Sequence, residues 1–446
     1  MVKTFMCRIN VIPIKVSEAK SLFFMSNIRG KTILVFADQV FISGMNFVTG
    51  LLLARFLGVA SYGQYVLAFG IILFTAGMQM AIIISPMMVS GPALSQNCSK
   101  DYYTAAFVLQ LLFSALAGGM ILGLGQILAD LFPHWNLETL LWPLSVVAVC
   151  SLTQDFLRRY FFTQGWSGTS LANDLICYSL RLSFLLFIGL TANLDAGKTL
   201  WIIAGTSAIA VLIGIIQCHW YESFCFPDIK NLKIAAYEHW NFGKWLIANN
   251  IAYWGSSQLV IYMVGIKLSV TSVGAMSASL NLIGVANILF LALENFVPSR
   301  ASRLHASKGW QELNRYLYKV SVLGGVGTFF IILIASLCPE FWLNLIYGSA
   351  YKGYGWLVWL WGAYYFIGFF QRPLSAGLRV IGNTRAIFFS SLGGVLISIL
   401  FSYTAVIWAG VIGAMFSLCF IQTIMLFTMY IIYKKNHATL VQNRFA

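Results

Sequence analysis

Charge is what this sequence has least of. Lys, Arg, Asp and Glu together make up 9% of its 446 residues, against about 25% in soluble domains. The acidic residues number only 14, against 28 basic ones. With 59% apolar residues and a mean hydropathy of +0.80, a water-soluble fold is excluded. Clustered cysteines are also missing. Cys7, Cys98, Cys150, Cys177, Cys218, Cys225, Cys338 and Cys419 are scattered through apolar runs with no C-x-x-C. They read as small apolar fillers, not as a metal site or a disulfide frame. No histidine pair has metal-binding spacing. No G-x-x-x-x-G-K-[ST] is present, so nothing here hydrolyses a nucleotide. No dense acidic cluster or long loop exists to carry divalent-metal glycosyl transfer, and the chain is not read as an enzyme.

What is present is long apolar runs. A membrane-spanning helix needs about 20 apolar residues, and the apolar content suffices for about a dozen. We read an all-α polytopic membrane protein with spans near 33–54, 65–88, 103–128, 140–162, 170–191, 199–220, 245–266, 273–296, 317–338, 354–374, 386–407 and 410–433. Segment 221–244 reads as a linker between two six-helix lobes, 33–220 and 245–433. Residues 1–32 and 434–446 read as tails. The first 30 residues lack the clean apolar core of a secretory signal. A basic entry follows Met25, so residues 1–24 are expected to be a mobile tail or to lie upstream of the true start.

With these spans, 23 of the 28 basic residues fall on the side of the termini and four on the other, with Arg181 inside a span. Such a split places both termini in the cytoplasm. It also accounts for the net charge of +14 with no nucleic-acid partner.

The two halves repeat weakly. Val59-Ala-Ser-Tyr-Gly63 is echoed by Val270-Thr-Ser-Val-Gly274, Pro86 by Pro298, and Gln154…Gly165 by Gln371…Gly382. Six spans per half make the repeats parallel, related by an axis along the membrane normal. A central cavity between rocking lobes suits that symmetry.

Charges inside spans are costly, at about 2.5–3.5 kcal/mol each at mid-bilayer, so they mark function or pairing. Asp38 and Arg181 lack a local partner and read as cavity residues. Asp174 lies two turns from Arg181 on one helix face, so the two could line one cavity. Asp155 is spaced to pair with Arg158 or Arg159. Glu294 is expected to pair with Arg300 or Arg303. Arg55 is expected to snorkel to the outer headgroups. Trp356, Trp359, Trp361, Tyr364 and Tyr365 read as an interfacial belt ahead of a sugar-stacking platform. Asp38 and Asp174 are the carboxylates placed well inside spans, and are candidates for proton or sodium coupling.

The stretch from Phe36 to Gly58, followed by Tyr62-Gly-Gln-Tyr65, resembles the start of bacterial polysaccharide (O-antigen type) flippases. Ser85-Pro86 and Gln371-Arg-Pro-Leu374 fit the same pattern. Those proteins share a superfamily with multidrug and toxin extrusion proteins and lipid II flippases. The resemblance implies two six-helix lobes, no cofactor, an ion gradient, and export of undecaprenyl-diphosphate-linked oligosaccharide across the inner membrane. It implies as partners that lipid-linked substrate, membrane lipids, and a polysaccharide polymerase with its chain-length proteins. A diphosphate needs cationic donors, and arginine suits oxyanions. Arg181, with Arg158, Arg159, Arg372 and Arg379, could attract it. Asn46, Asn249, Asn250, Ser256, Ser257 and Gln258 could line a sugar path, or equally could serve interhelical hydrogen bonding. Two alternatives stand: a multidrug or cation antiporter of the same superfamily, which would want acidic residues, and a membrane-embedded polymerase or glycosyltransferase, which would want a large catalytic loop.

Overall fold

The computed structural model describes residues 18–94, 96–220, 228–284, 286–381, 383 and 385–445. Every regular element among them is helical: α1 (Glu18–Gln79), α2 (Ser85–Ser90), α3 (Gln96–Leu131), α4 (Glu138–Thr163), α5 (Ser167–Thr191), α6 (Ala196–Trp220), α7 (Ile229–Lys267), α8 (Val270–Ile283), α9 (Ala286–Leu337), α10 (Pro339–Tyr347), α11 (Trp356–Val380), α12 (Arg385–Ile397) and α13 (Tyr403–Phe445). In a lipid environment only intrahelical hydrogen bonding satisfies the backbone of a single span, so this helical content follows from the apolar composition.

Among the described residues, seven stretches are long and apolar enough to cross a membrane. Two of them, Ala37–Ser90 with 54 residues and Arg385–Lys435 with 51, are each long enough for two crossings. Each contains a glycine at positive φ, Gly58 at 69° and Gly410 at 58°. A side chain would resist that backbone, so glycine marks where one span ends and the next begins. Gly309 at φ 76° divides α9 in the same way. Three further helices complete the twelve: α7, the α8 segment running into the first part of α9, and α11. Of these, α8 is apolar but only 14 residues long, while α7 and α11 carry polar residues of a cavity described below.

The chain divides into two compact units. The first comprises residues through Asn46, Ala68–Ala192 and Gly197–Ile247; the second comprises Phe47–Leu67, Asn193–Ala196 and Ala248 onward. Two details depart from a simple division in half. Residues 229–247, in and beyond the segment read as a linker, pack with the first unit, while residues 47–67 pack with the second. Helix α1 begins at Glu18, so the last part of the segment read as a tail is helical. The rest of that tail, residues 1–17, lies outside the described residues, as does the side chain of Met25.

In the first unit, Phe156, Tyr160 and Phe161 of α4 are buried with Tyr102, Tyr103, Met87 and Ala235. The span after Gly58 ends in a π-helical turn, Met80–Ile84. Such a turn leaves the regular ladder and frees backbone groups. Two side chains take them up: Ser85 Oγ donates to the Met80 carbonyl at 2.7 Å, and His239 Nδ1 lies 3.0 Å from the Ile82 carbonyl. His239 Nε2 lies 3.0 Å from the Tyr102 hydroxyl. These contacts fit a neutral ring whose Nδ1–H donates to Ile82 and whose Nε2 accepts from Tyr102. One turn on, a Cβ at Gly243 would stand 2.7 Å from the Ala81 carbonyl, so glycine permits the close approach.

His239 precedes the apolar stretch 245–266, and burial pushes its imidazole down to about 4. An unfolded histidine titrates near 6.5. A lowered histidine contributes stability that is present above about 6.5 and lost as pH falls toward about 4. His239→Gln is therefore expected to melt lower than the parent at neutral pH, with the difference shrinking through that window. Parallel melting curves in detergent check this. A difference independent of pH would contradict it.

In the second unit, the two repeated five-residue motifs meet each other. A Cβ on Gly63 would overlap the Val270 carbonyl oxygen, and a Cβ on Gly274 would overlap the Val59 carbonyl oxygen. The contact is reciprocal, as expected for related segments packed about a two-fold axis. Nearby, Asn281 Nδ2 donates to Tyr62 at 2.7 Å, and Tyr351 donates to the Ala54 carbonyl at 2.9 Å. Arg55 also lies here. Its guanidinium donates to the Ile346 carbonyl at 3.4 Å, so it caps the end of α10.

Candidate functional site

Two groups of polar side chains lie within the apolar body, one in each unit. In the first unit, Gln154 and Arg158 lie one turn apart on α4, facing Asp174 on α5. Gln154 Nε2 donates to Asp174 Oδ1 at 3.2 Å. Asp38 on α1 is fully buried beside Asp174, with the charges of Arg158 and Arg159 near it. Among the described residues, no hydrogen-bond donor reaches either Asp38 oxygen or Asp174 Oδ2. Arg158 pairs with Asp155 at 2.6 Å, and Arg159 reaches the same carboxylate at 3.7 Å. Three carboxyl groups thus stand against two guanidinium groups. One proton held between Asp38 and Asp174 would neutralise the cluster and give their bare oxygens a hydrogen bond.

The arginines read as a single cationic attraction are separated by this arrangement. Arg158 and Arg159 serve the carboxylate cluster. Arg181 is buried two turns along α5, where it donates to Ser207 at 3.0 Å and Thr206 at 3.4 Å on α6 and stacks on Tyr178. Its partners are hydroxyls 25 and 26 residues downstream, so it does not stand unpaired as its local sequence implied. Asn46 is exposed on α1 in the first unit.

Arg372 and Arg379 belong to the second group, on α11. In the second unit, α7, α9, α11, α12 and α13 enclose an open cavity of about 220 Å³. Asn249, Tyr253, Ser256, Ser257, Tyr364, Gln371, Arg372, Ser375, Arg379 and Gln422 supply its polar lining. A neighbouring cavity shares Tyr253, Ser257, Tyr364, Arg372 and Gln422 and adds Gln258, Asn287 and Tyr365. No described carboxylate lines either. Asn249 and Gln258 are therefore brought together with Arg372 and Arg379. Asn250 lines neither cavity, and its Nδ2 is buried without a partner. The side chain of Glu294 lies outside the described residues.

The aromatic cluster of α11 divides by helical period. Trp356 and Trp359 are exposed, as an interfacial belt requires. Trp361 is buried and donates to the Met276 carbonyl at 2.8 Å. Tyr364 and Tyr365 face the cavities, and Tyr365 stacks on Phe290 with centroids 5.7 Å apart. Reading the five as one belt missed the inward half. The spacing 361, 364, 365 against 356, 359 carries the signal.

Residues 246–404 match the MatE family model. A comparison with curated proteins finds no match. Among solved structures, the chain is similar to an inward-facing multidrug resistance MATE family transporter of the MOP superfamily, at 12% identity and TM-score 0.69, covering 89% of this chain and 95% of that one. It is also similar to the eukaryotic MATE transporter AtDTX14, at 14% identity and TM-score 0.59, covering 93% and 95%. A third is a MOP superfamily transporter from Pyrococcus furiosus, described by a reverse polarity of its binding pocket, at 12% identity and TM-score 0.56, covering 93% and 95%. The chain is a multi-pass membrane protein with the two-lobed, twelve-helix fold of the MATE transporters.

Proposed function

We propose that this protein is an ion-coupled exporter that works in the manner of MATE transporters, with Asp38 and Asp174 as the coupling carboxylates. The observation that carries the reading is the buried carboxyl pair of Asp38 and Asp174 beside Arg158, inside a fold shared with known transporters. A buried group of this kind is expensive in a membrane, so its presence marks a functional role. For the substrate, the similar structures described as multidrug transporters favour drug or cation antiport over lipid-linked oligosaccharide export.

A second reading rests on the cavity of the second unit. Arg372 and Arg379 with no described carboxylate suit an anionic amphiphile, such as a lipid diphosphate oligosaccharide. The description of the Pyrococcus furiosus protein supports the idea that pocket polarity varies on this fold. Flux in proteoliposomes separates the two. Under antiport, a cationic dye moves, and Arg372→Gln/Arg379→Gln leaves it moving. Under the second reading, a fluorescent polyprenyl diphosphate sugar crosses instead, and the same double change lowers that crossing on the order of tenfold or more. A polymerase and chain-length proteins become partners only in that second case.

We place both termini on the cytoplasmic side of a bacterial inner membrane, from the distribution of Lys and Arg. A reporter fused near Lys352 is then expected to read outside, and one after Arg303 inside. Opposite readings at both sites would reverse the topology.

A further inference from the structure

The first part of α7, residues 229–244, has one face fixed to the protein and the other bare. Ala235, His239 and Gly243, spaced four apart, form the buried stripe, held at the π-helical turn by His239 and Gly243. At about 100° per residue, Lys230, Lys233, Tyr237 and Lys244 fall in an arc about 60° wide, centred about 150° around the helix from that stripe. All four are exposed, Tyr237 by 68%. Trp240 flanks the arc on one side at 56% exposure, and Trp245 lies on the other at 73%. No carboxylate falls within the arc; Glu238 projects well to one side of it. Lysines centred between large aromatics are the pattern of a helix lying at a membrane surface, with ammonium groups among headgroups and rings at the acyl boundary.

We propose that this face binds the anionic phospholipid headgroups of the leaflet where the apolar stretch 245–266 begins. The charge selects the occupant: three lysines with no intervening carboxylate complement a phosphatidylglycerol surface. Trp240 and Trp245 explain why a membrane fits better than an acidic protein surface, because they stand bare where the apolar stretch 245–266 begins. The inference rests on the membrane-spanning fold and not on the transported substrate. The buried stripe makes it more than a solvated surface, since the other side of this helix is joined through His239 to the π-helical turn Met80–Ile84.

The test uses the full chain in vesicles containing either brominated phosphatidylglycerol or brominated phosphatidylcholine. Fluorescence quenching of Trp240 is obtained by difference from Trp240→Phe. Stronger quenching by the brominated phosphatidylglycerol, weakened by salt, is expected. In Lys230→Gln/Lys233→Gln/Lys244→Gln the preference should disappear, with roughly fivefold lost in lipid affinity per lysine. Trp245→Phe supplies an independent difference signal if Trp240→Phe folds poorly. Equal quenching by both lipids, absence of quenching from either, or an unchanged preference in the triple variant would each overturn the proposal.

Discussion

Asp174→Asn is expected to abolish gradient-driven transport while leaving the amount of folded protein in the membrane near that of the parent. The amide matches the carboxyl in size, and Gln154 can turn its own amide to keep a hydrogen bond to it. What it cannot do is carry a proton. With Asp174 replaced, Asp38 loses the carboxyl neighbour with which the proposed coupling has it share one, leaving Asp38 and Asp155 against Arg158 and Arg159. Asp38→Asn is expected to act the same way, since both oxygens of Asp38 are without another donor. Infrared spectroscopy gives a readout that a packing role would not move. A protonated-carboxyl C=O band should be present in the parent, titrate with pH, and be missing from both single variants. Transport by Asp174→Asn that still follows the gradient as the parent does would remove the pair from the mechanism.

The second large effect is expected at the reciprocal glycine contact. Gly274→Leu and Gly63→Leu each drive a side chain into a backbone carbonyl, Val59 in one case and Val270 in the other. Backbone cannot swing aside as a flexible side chain can, so each change should cost at least the 1–3 kcal/mol typical of overpacking. The expected result is a clear fall in melting temperature in detergent, or loss of this packed arrangement. A cysteine at Tyr62, shielded here at 3% exposure, should then become accessible to a water-soluble maleimide. Gly44→Ala and Gly119→Ala are the controls, because a Cβ at either meets nothing within 4 Å. Equal behaviour of all four variants would show that this contact is not important.

Hydropathy made the spans legible, because each helix must satisfy its own backbone in lipid. The glycines at the reversal points, Gly58, Gly309 and Gly410, were not singled out in the sequence, because their positive φ shows only in the folded backbone. The repeat was visible as Val59…Gly63 and Val270…Gly274, but its meaning was not. Nothing in either motif says that its glycine is the space into which the other's carbonyl fits. The site residues were legible by type and not by partner. Asp38 and Asp174 stand 136 positions apart in sequence, and only the packing of α1 against α5 makes them a pair. Arg181 seemed unpaired because its partners, Thr206 and Ser207, are hydroxyls on the following helix, where short side chains give no charge signal. Polar residues of α7 and α11 line the cavity together with the strongly apolar α9, α12 and α13, so span hydropathy alone did not mark it.

Proton coupling through the first unit is the central claim, and one measurement tests it most directly. The purified protein is sealed into proteoliposomes, a pH gradient is imposed, and the movement of a cationic dye and an anionic lipid reporter is followed with and without a protonophore. The account predicts that at least one reporter moves with the gradient, stops when the protonophore collapses it, and stops equally in Asp174→Asn. Movement of both reporters at the same rate whether or not the gradient is present, or no difference between the parent and Asp174→Asn, would contradict it.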